Sequence, residues 1–262
     1  RKPNGRIEPR IGAKWRVLAN IFANPDLPEI DDYYEPFNFD YEHLQSARES
    51  QAFPTARPRS AITGERMENV ALYEGLYESV LATLYSMAKV LDARDPYTSQ
   101  HSTRVTALSI DLAKAMHLSD EDRDVLYIAS SLHDIGKVGV PDSILRKPDK
   151  LSRAEFDIIR QHPDIGADIL KAIAVMYRET EIIRHHHERF DGGGYPSGMA
   201  GNEIPLLSRV IALADTFDAM TTDRPYRRGL SAEQAIEEII RCKGTQFDPE
   251  IAEIFIGIAK EL

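Results

Sequence analysis

The chain reads as an all-α protein: a helical bundle preceded by an extended, partly irregular amino-terminal segment. Three observations predict this. From Glu65 onward, apolar residues recur at helical spacing almost without pause. Three polar start signals, Ser119 before Asp122, Ser152 with Glu155 and Ser231 with Gln234, open such runs. No stretch alternates apolar and polar residues over the length of a strand, and no segment repeats.

In chain order, residues 1–64 come first, as a strap and linker of unassigned role. Seven of the 15 prolines lie in the first 58 residues, so this quarter is organised differently from the rest. Ile11, Trp15, Leu18 and Phe22 mark a short amphipathic helix, and the aromatic stretch Tyr33, Tyr34, Phe37, Phe39 and Tyr41, broken by Pro36, reads as a strap over a domain surface. Residues 46–64, with Pro54, Pro58 and Gly64, read as a linker. A leading helix then spans 65–94. In it Val70, Tyr73, Tyr77, Val80, Leu84, Met87 and Leu91 form a heptad stripe, with Leu72, Leu76 and Leu81 on the other flank. The stripe predicts either a parallel homodimer or a helix packed on its own domain. Residues 95–262 hold the bundle, with helices expected near 98–116, 120–136, 152–172, 175–188, 206–222, 231–242 and 248–261. The exception is 188–205, which carries five of the 15 glycines plus Pro196 and Pro205. A connection of that length is usually functional, and Gly192, Gly193 and Gly194 permit torsions that a side chain forbids.

A net charge of −10 opposes binding of a nucleic-acid polymer, so an anionic substrate needs a local positive site. The single cysteine, Cys242, excludes an internal disulfide and a cysteine-based zinc site. No run of 18 apolar residues is present. Arg1, Lys2, Arg6, Arg10, Lys14 and Arg16 against Glu8 make a basic start. It fits either a solvated terminus or the cytoplasmic portion of a larger membrane-associated sensor. A cytoplasmic location is expected.

The chemistry concentrates in a few groups. His101, His133-Asp134, His162, His186-His187 and Asp215 fall 24 to 32 residues apart, about one helix plus one loop each. Each group therefore rides on its own helix and can point at one centre, as in other helical histidine–carboxylate metal proteins. Three consecutive histidines are poor core filler, and a buried histidine pair beside an aspartate is costly unless a cation binds it. Five His and two Asp suit Fe, Mn, Ni or Zn without choosing among them. The bland readings fall elsewhere: His43 and His117 at the surface, Arg228 as surface charge, Asp218 as a structural hydrogen-bonding residue, and His185 as support for the ligands.

The stretches Leu132-His133-Asp134-Ile135-Gly136-Lys137 and His186-His187-Glu188-Arg189-Phe190-Asp191-Gly192-Gly193-Gly194-Tyr195-Pro196 resemble the HD-GYP family of cyclic dinucleotide phosphodiesterases. Asp95-Pro96-Tyr97-Thr98, Pro141-Asp142-Ser143-Ile144-Leu145, Gln161-His162-Pro163 and Asp223-Arg224-Pro225-Tyr226-Arg227 extend the resemblance over about 85–262. It implies an HD-type helical bundle, with 95–262 as the catalytic domain. It also implies two divalent metal ions per chain, Fe or Mn: His101, His133, Asp134 and Asp215 on one, and Asp134, His162, His186 and His187 on the other, with Asp134 bridging. The implied reaction is hydrolysis of cyclic di-GMP to linear pGpG, and on to GMP, by a metal-bridging hydroxide. Lys137 and Asp134 are then catalytic, and Lys137, Arg224, Arg227, Gly194, Tyr195 and Pro196 bind substrate. The Gly194-Tyr195-Pro196 loop is also expected to meet a signalling-protein partner. Three-metal members carry a glutamate where this chain has Tyr97, and a phenol with a pKa of about 10 is a poor ligand, so two metals are expected. Two other readings stand beside this one: a non-catalytic cyclic dinucleotide receptor and an HD-type diiron oxygenase. The intact ligand set weighs against the first, and the glycine loop and basic residues against the second.

Overall fold

The computed structural model describes residues 59–94, 100–173, 176–223 and 228–259, with side chains from 75 onward except residue 78. The expectations for the amino-terminal strap, His43, Tyr97, Arg224 and Arg227 fall outside these residues. Two compact units are distinguished, one containing Leu81–Leu262 and the other Ile11–Val80. Of the second, the described part is the start of one long helix.

That helix is α1, Arg59–Arg94. Over its carboxy-terminal half the buried face runs through Leu81, Leu84 and Ala88, while Met87 and Val90 are 48% and 67% exposed. Leu84 of the heptad stripe is thus buried and Met87 is not: the face covered by the domain is rotated from the stripe towards Leu81. Arg94 in its last turn donates to Asp142 (2.5 Å) and to the Val140 carbonyl (2.7 Å).

The bundle is built from α2 (His101–Ala115), α3 (Asp120–Leu132), a 3-10 turn (Ile135–Gly139), α4 (Asp142–Leu145), α5 (Arg153–Ile159), α6 (His162–Lys171), α7 (Tyr177–Arg184), α8 (Leu206–Thr221), α9 (Ala232–Cys242) and α10 (Pro249–Ala259). Among the described residues there is no strand, only isolated bridges at Asp191–Ala200 and Lys243–Phe247. The three start signals behave as expected. Ser119 accepts from the Asp122 amide, and Ser152 with Glu155 and Ser231 with Gln234 close complete capping boxes. Asp248 caps α10 by accepting from the Glu250 and Ile251 amides at 2.8 and 3.2 Å, ahead of Pro249. It is also held by Arg209 at 2.5 Å.

Packing follows the apolar stripes. Helix α2 lies against α3, α8 and α10, α3 against α7, and α6 against α7 and the 3-10 turn. Leu112, Leu126, Leu132, Ile211, Leu213 and Phe255 are fully enclosed between them. Each such side chain contributes about 1.5–3 kcal/mol relative to exposure.

Two expected helices are shorter than apolar periodicity suggests. The helix expected at 120–136 ends at Leu132, so His133 and Asp134 sit in a turn and Lys137 in the 3-10 segment. The run expected at 152–172 breaks at Arg160–Gln161 into α5 and α6. Pro163 accounts for the break. It has no amide proton to donate to the Ile159 carbonyl, and the His162 Nδ1–H takes that carbonyl instead, at 2.8 Å. Likewise His185, His186 and His187 lie in the turn after α7. The candidate ligand groups therefore stand at helix ends more than on helices.

One contact sets the spacing between two of them. A Cβ added at Gly136 would fall 1.9 Å from the His162 carbonyl oxygen and 2.5 Å from the Gly166 nitrogen. The 3-10 turn thus rests backbone to backbone on the first turn of α6, which no other residue permits. Gly136→Ala is expected to destabilise the fold by about 1–3 kcal/mol or more through overpacking. Thermal denaturation checks this, and a wild-type midpoint would contradict the contact.

Candidate metal centre

The seven residues singled out in the sequence, His101, His133, Asp134, His162, His186, His187 and Asp215, converge. Their donor atoms form overlapping groups: His101, His133 and Asp215; His162, His186 and His187; and His133, Asp134 and His186, with atoms within 4.8 Å of one another in each. Asp134 lies between the first two. Its Oδ2 is 3.7 Å from His101 Nε2 and 3.5 Å from His133 Nε2, while its Oδ1 is 3.3 Å from His162 Nε2. One carboxylate thus divides its two oxygens between two imidazole sets. Asp215 Oδ1 stands 3.2 Å from His101 Nε2.

The tautomers are set by helix ends. His133, His162 and His186 each place Nδ1 at 2.6–2.8 Å from the carbonyl three residues back, on Ser130, Ile159 and Ile183. A carbonyl can only accept, so Nδ1 carries the proton and Nε2 presents a lone pair inward. His162 Nε2 and His186 Nε2 then face each other at 3.3 Å, and His133 Nε2 is buried with no hydrogen-bond partner among the described residues. Lone pairs crowded on one point are costly unless a cation receives them.

Charge states fit the same conclusion. Burial, with the neighbouring imidazoles adding to it, holds His187 down to about 3 and His186 well below the usual histidine range. His162 is lowered by burial too. Burial works against ionisation of Asp134, but Lys137 and the surrounding histidines outweigh it and keep the carboxyl well below its ordinary value. Asp215 is likewise lowered, against burial, by His101. The groups are therefore in ligand form without losing protons. His101 differs: burial opposes its charge, yet Asp215 and Asp218 raise it to about 10. The donor set fits divalent metal, and its all-nitrogen-and-oxygen chemistry suits first-row ions.

Around the donors sits a supporting layer. Asp218 accepts from His101 Nδ1 at 2.7 Å and is clamped by Arg104, through Nε and through Nη2 at 2.9 Å. The structural reading of Asp218 therefore holds, with its bonds directed at a ligand. Arg104 escaped the sequence reading, although its place one turn after His101 on α2 would have suggested it. His185 accepts no central role: its Nδ1 meets the Glu181 carbonyl at 2.8 Å and its Nε2 the Ser197 hydroxyl at 3.3 Å. His117 and Arg228 are exposed, as expected of surface residues. Lys137 Nζ pairs with Asp134 Oδ2 at 2.6 Å, placing it at the centre.

The glycine loop closes one side. Glu188, buried, accepts from the Ser197 and Gly198 amides at 2.6 and 3.1 Å, and the Tyr195 amide donates to the His187 carbonyl at 3.2 Å. Of the three consecutive glycines, Gly192 has a positive φ of 80°, whereas Gly194 is required for close approach: a Cβ there would lie 2.3 Å from the Arg189 nitrogen. The Tyr195 ring lies 5.0 Å from that of His187, and burial, reinforced by Asp134 and Asp215, keeps its phenol protonated.

The sequence matches the HD domain over residues 85–251. It is 40% identical over 189 residues to a cyclic di-GMP phosphodiesterase of Thermotoga maritima, covering 71% of this chain and 51% of that protein. It is 37% identical over 195 residues to the 3'3'-cGAMP-specific phosphodiesterase 2 of Vibrio cholerae, covering 74% and 37%. The chain thus spans about half the length, or less, of these relatives. A solved cyclic GMP-AMP specific phosphodiesterase of Vibrio cholerae shares the fold with a TM-score of 0.53 at 20% identity, over 69% of this chain and 48% of that one.

Replacing Asp218 by Asn removes the charge that orients His101 and is expected to weaken metal binding about 10- to 100-fold while the helices persist. Chelator competition with circular dichroism checks this. Unchanged affinity would show that His101 is held by packing alone.

Proposed function

This chain belongs to the HD domain family, and on that premise we propose that it is a metal-dependent phosphodiesterase hydrolysing cyclic di-GMP, or a related cyclic dinucleotide, to the linear dinucleotide and then to GMP. The observation that carries the reading is the division of the Asp134 oxygens between two histidine sets, an arrangement in which one carboxylate could serve two adjacent cations. The names of the relatives, cyclic di-GMP and 3'3'-cGAMP phosphodiesterases, supply the substrate class.

In this reading His101, His133, Asp134 and Asp215 hold one ion and Asp134, His162, His186 and His187 the other. Two such ions supply Lewis acidity and lower the pKa of bound water towards about 7. The remaining work falls to the chain. Lys137, held beside the donor set by Asp134, would meet a phosphate oxygen of the substrate and offset its charge. Tyr195, protonated, walls the cleft with Gly194 and Pro196 and keeps water from its side. Arg224 and Arg227 contribute phosphate contacts, as the resemblance implies. A receptor that binds without cutting has no need of seven converging donors, which favours turnover.

The same proposal includes iron or manganese as the native metals, two per chain, since Tyr97 stands where a third site needs a carboxylate. It includes a homodimer through α1, where Met87 and Val90 remain exposed, a protein partner at the glycine loop, and a cytoplasmic setting. Among the described residues no helix is long and apolar enough to cross a membrane. The domain boundaries at 64 and 94 belong to this reading as well.

Chromatography of cyclic di-GMP digests with anaerobically purified, metal-loaded protein tests the reaction. Linear pGpG and GMP, formed equally with and without oxygen, are expected, and an oxygen-dependent product would overturn the reading. Asp134→Ala should lose both metal and turnover. Lys137→Ala should keep its metal and lose about 10²–10³ in kcat, as removal of a charge-stabilising donor does. Metal analysis should return two ions per chain, and three filled positions would refute the argument from Tyr97.

A further inference from the structure

Three side chains outside the donor set form a ledge at its rim. The Arg160 guanidinium lies over the Tyr195 ring, 4.7 Å from its centroid. Phe156, one turn earlier on α5, stands edge-on to the same ring with centroids 6.5 Å apart, and is 45% exposed. Tyr195 joins this ledge to the metal centre through His187. The break at Arg160–Gln161 separates Phe156 and Arg160 from the helix that begins at His162, and both meet Tyr195.

Neither residue is consumed by the fold. A lone exposed phenylalanine needs no explanation, but this one adjoins a cation stacked on a second ring. Arg160 has one ion pair among the described residues, with Asp157 at the 4.0 Å limit and both side chains substantially exposed. Pairs of that kind are worth little. Its planar fork is therefore oriented by Tyr195 and keeps its donors available.

We propose that Phe156, Arg160 and Tyr195 form the subsite for one nucleobase of the cyclic dinucleotide and that Arg160 selects guanine. This rests on the phosphodiesterase reading above and adds to it the choice among bases. An exposed aromatic ring beside a stacked guanidinium is a platform for any base. The arginine fork adds discrimination. Guanine presents two adjacent acceptors, O6 and N7, which match two parallel N–H donors, whereas adenine presents a donor at N6 that repels one of them.

Steady-state hydrolysis of cyclic di-GMP and cyclic di-AMP by the metal-loaded full chain tests this. Wild-type protein should prefer cyclic di-GMP. Arg160→Ala should lower the ratio of kcat/KM for cyclic di-GMP to that for cyclic di-AMP about tenfold or more, through KM. Arg160→Lys, which can still reach both acceptors, should keep part of the preference. Phe156→Ala should raise KM for both substrates about tenfold, the effect of lost base stacking. Metal content measured on each variant reports an intact centre. Equal loss on both substrates in Arg160→Ala would make Arg160 a phosphate clamp and overturn base selection. Unchanged KM values in both variants would remove the ledge from substrate binding while leaving the phosphodiesterase reading intact. Wild-type protein that cuts neither substrate would refute that reading, and the ledge with it.

Discussion

Two half-buried carboxylates in a pocket of inward-facing imidazole lone pairs favour a cation, and much of the architecture answers that preference. Asp134 and Asp215 are kept ionised although burial opposes it. His101 lies against both Asp134 and Asp215, and Lys137 pairs with Asp134, so positive groups face the carboxylates from two sides.

The helices serve this centre chiefly by where they stop. The last turn of a helix leaves carbonyls without intrahelical partners. Here those of Ser130, Ile159 and Ile183 at the ends of α3, α5 and α7 accept from the Nδ1 of His133, His162 and His186. The same groups that terminate the helix thereby choose the ligand tautomer. Three helix carboxyl termini also bring partial negative charge towards the centre, which favours a cation over a bare cluster of imidazoles. Gly136 then fixes the distance between two of these ends, because the turn carrying Asp134 packs directly on the α6 backbone.

Much of this was legible in the sequence. Ser119, Ser152 and Ser231 marked helix starts because capping depends on residue identity and a local spacing. The seven donors were legible because clustered histidines and aspartates have few other uses. Helix ends were harder. Apolar periodicity runs through Ile158, Ile159 and Ile165 across the break, and only the missing proton of Pro163, together with the competing ring of His162, stops α5. The heptad stripe told less than it promised, since Leu81 on its flank is buried and Met87 within it is exposed. Arg104, Phe156 and Arg160 were missed because their significance comes from contacts with residues far along the chain. Asp218 and Tyr195 supply those contacts; the spacing of Arg104 from His101 was the one local hint, and Phe156 and Arg160 had none.

The clamp at Glu188 has a mechanical consequence. Its carboxylate grips the Ser197 and Gly198 amides, and the Tyr195 amide is tied to the carbonyl of His187. The loop is thus tied at Tyr195 and at Ser197–Gly198 to the segment that carries His186 and His187. The rim of the candidate centre and two of its histidines are therefore one mechanical piece, braced by three amide hydrogen bonds rather than by the length of chain between them.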